Sequence, residues 1–147
     1  MSGKCPWGKS GGACKNKKTI IATAFAPNAI GPYSQAIKAN GFLFVSGCIG
    51  LDPETGKMVP GGVKEQTAQV LKNLTEIVKA GDCEIKDVVK TTVLLTDMKD
   101  YGVVNTIYSD TFMEGKPARA AFAVKGLPAG ALVEIDAVVV VSGKSTK

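Results

Sequence analysis

A single arginine stands out in this 147-residue chain, because its seventeen other basic residues are all lysine. Arg119 lies in the short apolar stretch 116–124, whose composition is typical of a β-strand. A guanidinium group can bind a carboxylate or a phosphate through two parallel hydrogen bonds, which lysine cannot do. Burial of its charge costs free energy unless an anion meets it. Two interpretations are therefore open: Arg119 anchors an anionic ligand, or it forms an internal salt bridge.

Two carboxylates in the last predicted strand are the candidate partners of this arginine. Strand periodicity places Glu134 and Asp136 on one face of that strand. The opposite face is entirely apolar and should pack on helices; it consists of Val133, Ile135, Ala137 and Val139. Since two helices cannot cover both faces of a sheet, we expect Glu134, Asp136 and Arg119 to share the helix-free face. An apolar face with embedded charges suggests that another subunit covers it, which predicts an anion pocket between subunits. The alternative is an Arg119–Glu134 ion pair within the chain, with nothing bound.

The chain contains no histidine, which limits the chemistry that it can perform. A Ser-His-Asp triad, a Cys-His dyad and a histidine-based ribonuclease mechanism are all excluded. The cysteines form no CxxC pair, so a zinc site is not expected; they are Cys5, Cys14, Cys48 and Cys83. We expect free thiols in a reducing compartment, with a Cys5–Cys14 disulfide as the alternative. Catalysis must therefore use carboxylates, hydroxyls, amides and the arginine.

The net charge of +5 is carried by the first eighteen residues, which contain five lysines and no acidic residue. The remaining thirteen basic residues equal the thirteen acidic ones. We therefore predict a flexible basic extension, residues 1–18, before one neutral domain, residues 19–147. A neutral domain argues against nucleic-acid binding. No apolar run is long enough to span a membrane, and no signal-peptide apolar region is present, so we expect a cytoplasmic protein. An organellar targeting role of the extension is the alternative.

Hydrophobic periodicity predicts six strands and two helices. The predicted strands are residues 19–25, 33–39, 42–49, 88–95, 116–124 and 132–141. The first predicted helix is 63–80, and the second begins after a cap at Asp97 or Asp100 and ends before Gly115 and Pro117. The order β-β-β-α-β-α-β-β predicts an α+β fold in which one mixed sheet carries two helices on one face.

Five short segments occur in an order and spacing that are specific together, although each is weak alone. They are residues 29–36 (AIGPYSQA), 45–47 (VSG), 51–56 (LDPETG), 117–119 (PAR) and 132–135 (LVEI). From about residue 19 to 141 the chain resembles the RidA/YjgF family of reactive-intermediate (imine) deaminases. The resemblance implies a chorismate-mutase-like α+β fold that assembles as a homotrimer, with sites in the clefts between subunits.

The resemblance also implies an activity. Family members hydrolyse 2-imino or enamine acids, such as 2-iminobutyrate and 2-iminopropanoate, to 2-keto acids and ammonia. Pyridoxal-phosphate enzymes such as threonine and serine dehydratases release these substrates, and no stable complex with them is expected. The protein itself would need no cofactor and no metal.

The resemblance assigns roles to individual residues of this chain. Arg119 matches the carboxylate-binding arginine, and Glu134 matches the glutamate that positions the attacking water. Tyr33 and Asn105 match pocket positions, and Gly47 matches the close backbone approach to the substrate. From the residues alone, a tyrosine beside Gly-Pro such as Tyr33 is more often a packing residue, and an asparagine such as Asn105 is more often a helix-surface or capping group.

Two positions depart from the pattern of the family. Many members have cysteine two residues after the arginine, where this chain has Ala121, so only the backbone of that position can contact substrate. Many members also have glutamine after the Ser-Gly pair, where this chain has Cys48. That change affects either substrate preference or packing.

Two other classes of function compete with the enzyme. One is a module that binds small carboxylates without turnover, or a chaperone that uses exposed apolar surface. The other is an RNA-directed translation inhibitor or ribonuclease, against which the neutral domain and the lack of histidine argue. Glu134 favours the enzyme, because a second carboxylate beside an anion pocket weakens simple anion binding.

Overall fold

The computed structural model describes residues 17–142, which contain six strands and two α-helices. The strands are β1 (Thr19–Ile21), β2 (Ala36–Ala39), β3 (Phe42–Cys48), β4 (Val88–Leu95), β5 (Ala118–Ala123) and β6 (Val133–Val140), and the helices are α1 (Val63–Ala80) and α2 (Tyr101–Thr111). The predicted order of elements is confirmed. The predicted extension lies outside the described residues except for Lys17 and Lys18, and Cys5 and Cys14 lie outside them as well.

The six strands form one sheet in the order β1-β2-β3-β6-β4-β5. All neighbours are antiparallel except β4 and β5, which are parallel, so the predicted single mixed sheet is confirmed. The β2–β3 hairpin turns at Asn40 and Gly41, whose φ angles of 52° and 81° are those of the two-residue turn that this dipeptide favours. Strand β5, which carries the arginine, is an edge strand.

The helices cover one face of the sheet. Helix α1 packs on β3 and β6 and contacts α2. The four apolar side chains on one face of β6 are buried beneath the helices, as predicted: Val133, Ile135, Ala137 and Val139. Glu134 and Asp136 therefore point to the opposite, helix-free face. In the described residues no helix is long and apolar enough to cross a membrane.

The segment between β1 and β2 is longer than the sequence predicts, because both strands are shorter. The side chain of Gln35 organises this segment. Its amide oxygen accepts a hydrogen bond from the Thr23 N–H at 2.7 Å, and its amide nitrogen donates to the carbonyl of Pro27 at 2.8 Å. These bonds satisfy backbone groups that a strand would pair with a neighbouring strand. Residues 22–35 therefore form an ordered loop instead of continuing the sheet.

Helix α2 begins after a short 3₁₀ turn, Met98–Asp100. The Asp97 carboxylate caps this turn by accepting a hydrogen bond from the Lys99 N–H at 2.9 Å. Asp100 occupies the N-cap position of α2, but its side chain makes no capping hydrogen bond. The predicted cap is therefore Asp97, and it fixes the point at which Tyr101 starts the helix.

Candidate functional site

Arg119 lies on the helix-covered face of the sheet, and its predicted place on the helix-free face is wrong. The strand register explains the position. Arg119 pairs with Thr91 of β4, and Thr91 pairs with Ala137 of β6. Thr91 and Ala137 are both buried beneath the helices. Because paired residues on neighbouring strands share a face, the Arg119 side chain points towards α2.

Three residues of α2 surround the guanidinium group. Nη1 of Arg119 donates to Oδ1 of Asn105 at 2.8 Å, and Nη2 donates to the hydroxyl of Tyr101 at 2.9 Å. Cζ lies 4.9 Å from the ring centroid of Tyr108 and 5.5 Å from that of Tyr101, within the range of cation–π attraction. We call Tyr101, Asn105 and Tyr108 the α2 cage. The cage holds the guanidinium through neutral groups, and no carboxylate of the described residues compensates its positive charge.

Asn105 is thus neither a free surface residue nor a capping residue, and within this chain it contacts the arginine. Ala121 lies on the same face of β5 as Arg119 and packs partly against the core. Since β5 is an edge strand, one side of its backbone has no strand partner in the sheet, which leaves groups for contact with a ligand.

Glu134 lies on the other face, beside Gly47. The β3–β6 pairing is interrupted between Val45 and Cys48, and this irregularity brings Gly47 next to the Glu134 side chain. A Cβ atom at position 47 would overlap the Glu134 carboxylate. Gly47 therefore provides the space for the carboxylate, and the close approach of its backbone to the substrate remains a prediction from the resemblance.

The surroundings of Glu134 favour its protonated form. Burial raises the pKa of the Glu134 carboxyl group, and the negative charge of Asp136 raises it further. Asp136 is held by the Thr92 N–H, which donates to its Oδ1 at 2.9 Å. A carboxylate with a raised pKa is a better base than an ordinary glutamate, which suits proton transfer from water.

Tyr33 and Glu134 line one cleft of about 390 Å³ on the surface of the chain. The Tyr33 hydroxyl accepts a hydrogen bond from the Ile30 N–H at 3.2 Å, so its own proton remains available to a ligand. Gly47 and the apolar side chains of Ile30 and Ile49 also line the cleft. The cleft thus combines one carboxylate and one hydroxyl with apolar walls.

The predicted site residues separate into two groups. Tyr33, Gly47 and Glu134 form one group around the cleft. Arg119 of β5 and Asn105 of α2 form a second group, and Ala121 lies on the same face of β5 as Arg119. Strand β6, which carries Glu134, is separated from β5 by β4, and the two side chains point to opposite faces. Neither Arg119 nor Glu134 takes part in any of the ion pairs found in residues 17–142, so the intrachain pair that was the alternative interpretation is absent there.

Cys48 lies behind the cleft and is buried in the core. Burial raises the pKa of the Cys48 thiol to about 12, and the charges of Glu134 and Asp136 add to this effect. The thiol is therefore protonated at neutral pH and is a poor nucleophile. Within the described part of the chain, no group of three or more Cys, Asp or Glu side chains is placed to hold a metal ion.

Sequence reasoning missed three residues that build the site. No site role is assigned to Tyr101 or Tyr108 from the sequence, and Gln35 is only part of the segment 29–36 that carries the resemblance. Their spacing contains a signal for the tyrosines, because positions 101, 105 and 108 lie on one face of a helix. This helical spacing indicates contact with Arg119 only when β5 is known to lie beneath that face of α2.

Comparison with known proteins now places the chain. The family model described as Endoribonuclease L-PSP matches residues 23–141. The mouse protein named 2-iminobutanoate/2-iminopropanoate deaminase is 54% identical over 123 residues, 84% of this chain and 91% of that protein. The Arabidopsis thaliana protein named Reactive Intermediate Deaminase A, chloroplastic, is 50% identical over 122 residues, 83% of this chain and 65% of that protein. The chain belongs to the RidA/YjgF family.

Solved structures agree with this membership. E. coli TdcF, whose crystal structure contains bound serine, superposes with a TM-score of 0.80 at 36% identity, covering 84% of this chain and 99% of that one. The RidA/YjgF fold that the sequence predicts is thereby confirmed, as is the family resemblance. In its described residues, this member of the family carries a cleft lined by Glu134 on one face of its sheet and an arginine without an ion-pair partner on the other.

Proposed function

We propose that this chain hydrolyses 2-iminobutanoate and 2-iminopropanoate to the corresponding 2-keto acids and ammonia. The observation that carries the proposal is the Arg119 guanidinium in the α2 cage. Its hydrogen-bond partners among the described residues are the neutral groups of Asn105 and Tyr101. A 2-imino acid supplies the missing anion as its carboxylate, which Arg119 can bind through two parallel hydrogen bonds. The names of the mouse and Arabidopsis relatives support the same reaction.

The proposed reaction needs only a water molecule and a base. The carbon of the protonated C=N group of a 2-imino acid is electrophilic. The oxygen of a water molecule bonds to that carbon while Glu134 accepts a proton from the same water. Glu134 returns this proton to the nitrogen of the resulting carbinolamine. The C–N bond then breaks, and ammonia leaves with the electron pair of that bond. The remaining hydroxyl loses its proton to give the keto group. The Tyr33 hydroxyl can donate a hydrogen bond to substrate or water throughout.

Arg119 and Glu134 can act on one substrate only if different copies of the chain supply them. We therefore propose that the site lies between subunits of a homotrimer. The helix-free face supports this arrangement, because Phe42, Phe44 and Phe122 lie on it and are 38%, 46% and 49% exposed. Three aromatic side chains on one sheet face are an unfavourable solvent surface, and a neighbouring subunit would cover them.

The reaction places the protein after enzymes that release 2-imino acids. Pyridoxal-phosphate dehydratases of threonine and serine are the proposed source, supplying substrate by diffusion without a stable complex. We propose a cytoplasmic location; the chloroplastic name of the Arabidopsis relative makes an organelle the alternative.

An assay of ammonia release tests the function directly. 2-Iminobutanoate is generated freshly from an amino acid, and its conversion is followed with the wild-type chain, Arg119→Lys and Glu134→Gln. We expect wild type to accelerate ammonia release and Glu134→Gln to lose about 100-fold or more of kcat, the typical contribution of a general base. Arg119→Lys should weaken binding of 2-oxobutanoate by about 30-fold, since hydrogen bonds to charged groups contribute about 2 kcal/mol.

Two results would contradict the proposal. A wild-type chain that binds 2-oxobutanoate without accelerating ammonia release would be a binding module. An RNA-cleaving wild type would favour the ribonuclease alternative, although the chain has no histidine to perform that chemistry.

A further inference from the structure

The Arg119 side chain is held at two separate nitrogen atoms. Asn105 holds Nη1 at 2.8 Å, and the Tyr101 hydroxyl holds Nη2 at 2.9 Å. A guanidinium group has five N–H donors, so three remain for a ligand. Binding a carboxylate through two parallel hydrogen bonds requires the plane and the rotation of the group to be correct together.

The two tyrosine rings restrain the guanidinium in different ways. Tyr108 is itself fixed, because its hydroxyl shares a hydrogen bond of 2.6 Å with that of Thr91. Its ring lies 4.9 Å from Cζ of Arg119 and favours a cation at that position. A ring face attracts a cation without selecting its rotation, so stacking alone leaves the fork free to turn. The hydroxyl of Tyr101 adds a directional restraint at Nη2, which acts together with the bond of Asn105 at Nη1.

We propose that Tyr101 is a positioning residue for carboxylate recognition, and that its hydroxyl, rather than its ring, fixes the rotation of the Arg119 guanidinium. The inference rests on the proposed role of Arg119 as the carboxylate anchor. Tyr101 acts only through Arg119. A guanidinium held in one rotation binds a 2-keto or 2-imino carboxylate more tightly than a freely rotating one, since it loses less rotational freedom on binding.

The position of Tyr101 in the chain supports this role. Tyr101 is the first residue of α2, and the preceding 3₁₀ turn is capped by Asp97. The start of the helix is therefore fixed, and the half-buried Tyr101 ring packs against the core. A hydroxyl at the end of an anchored ring is a rigid hydrogen-bond partner, unlike the end of a long flexible side chain.

The single arginine of the chain permits a direct test. Protein labelled with 15N-arginine gives guanidinium signals from Arg119 alone, so rotation about its C–N bonds can be measured by NMR without a ligand. Tyr101→Phe keeps the ring and removes only the hydroxyl. We expect guanidinium rotation to become several-fold faster in this variant, and the dissociation constant of 2-oxobutanoate to rise by about tenfold.

The control is Ser109→Ala, which removes a hydroxyl from the exposed side of the same helix. Among residues 17–142 the Ser109 hydroxyl donates a hydrogen bond to the Thr106 carbonyl, at 2.9 Å, and to no other group. This variant should match wild type in rotation rate and in binding. In the Arg119→Lys background, Tyr101→Phe should change binding by less than twofold, because an ammonium has no second Nη for the hydroxyl to hold.

The result that overturns the inference is a Tyr101→Phe protein with the wild-type guanidinium rotation rate. Additive effects of Tyr101→Phe and Arg119→Lys on binding would overturn it as well. If Tyr101→Phe does not fold, Tyr101→Met removes the same hydroxyl and is judged by the same rotation rate. A wild-type chain without deaminase activity would contradict the proposed function but not this inference, since the NMR measurement needs no turnover.

Discussion

At the scale of single residues, Gly47 controls where the Glu134 carboxylate, the proposed base, can lie. An added Cβ at this position would overlap Glu134, so Gly47→Ala must displace the carboxylate. We expect kcat to fall by about 100-fold, the typical contribution of a positioned general base. Binding of 2-oxobutanoate through Arg119 should change less than kcat. The measurement is steady-state ammonia release together with calorimetric titration.

The control for this variant is Gly126→Ala, because a Cβ added at Gly126 meets no atom within 4 Å. Gly126→Ala should retain wild-type kcat. An active Gly47→Ala protein would mean that the position of Glu134 does not matter for catalysis.

Asp136 is the charged neighbour that influences the pKa of the Glu134 carboxyl group. Its negative charge adds to the effect of burial and raises the pKa of the Glu134 carboxyl group. Asp136→Asn removes the charge and keeps an oxygen to accept the Thr92 N–H. The pKa of Glu134 should then fall, so a larger fraction of Glu134 is ionised at low pH. The acid limb of the pH profile of kcat/KM should move to lower pH, and a limb that stays in place would argue against Glu134 as the base.

Residue identities could be predicted from the sequence more reliably than residue contacts. Arg119 and Glu134 were identified because a lone arginine and two alternating carboxylates are unusual in apolar strands. Their presumed common face was wrong, because strand alternation defines two faces but not which face meets the helices. Only the parallel pairing of Arg119 with Thr91 decides that question.

At the scale of elements, the helix α1 and the strand β4 have the predicted bounds, since their apolar periodicity is long and uninterrupted. Strands β1 and β2 are shorter than predicted. Their flanking residues have β-forming side chains, but the side chain of Gln35 takes over the backbone hydrogen bonds of the intervening loop. Such a distant side-chain contact has no local sequence signal, which is why the prediction failed there.

The loop that carries Tyr33 depends on Gln35. Gln35→Leu would leave the Thr23 N–H and the Pro27 carbonyl without their partner, while leucine is of similar size and fits a buried position. We expect the free energy of unfolding to fall by about 3 kcal/mol, because unpaired buried polar groups cost about 1–3 kcal/mol each. Amide exchange should also become faster in residues 22–35 before other regions are affected. Denaturant unfolding and hydrogen exchange provide these measurements, and unchanged exchange in the loop would refute the role of Gln35.

At the scale of the whole molecule, the net charge and the proposed activity belong to different parts of the chain. The first eighteen residues carry the whole excess of five positive charges, while the matched family region begins at residue 23. Deletion of residues 1–18 should leave ammonia release unchanged. Any retention on RNA at low salt should be lost with them, because such binding depends on lysine–phosphate contacts. A truncated chain that binds RNA tightly at physiological salt would contradict this division.

The proposed site requires Arg119 of one copy and Glu134 of another copy to act on the same substrate molecule. Arg119→Met and Glu134→Gln chains should each be nearly inactive. When they are mixed, unfolded and reassembled in equal amounts, some interfaces combine an intact arginine with an intact glutamate. For a closed ring with random assembly, about one interface in four is of this kind, so the mixture should recover about a quarter of wild-type activity. A reassembled mixture no more active than its parents would contradict the account.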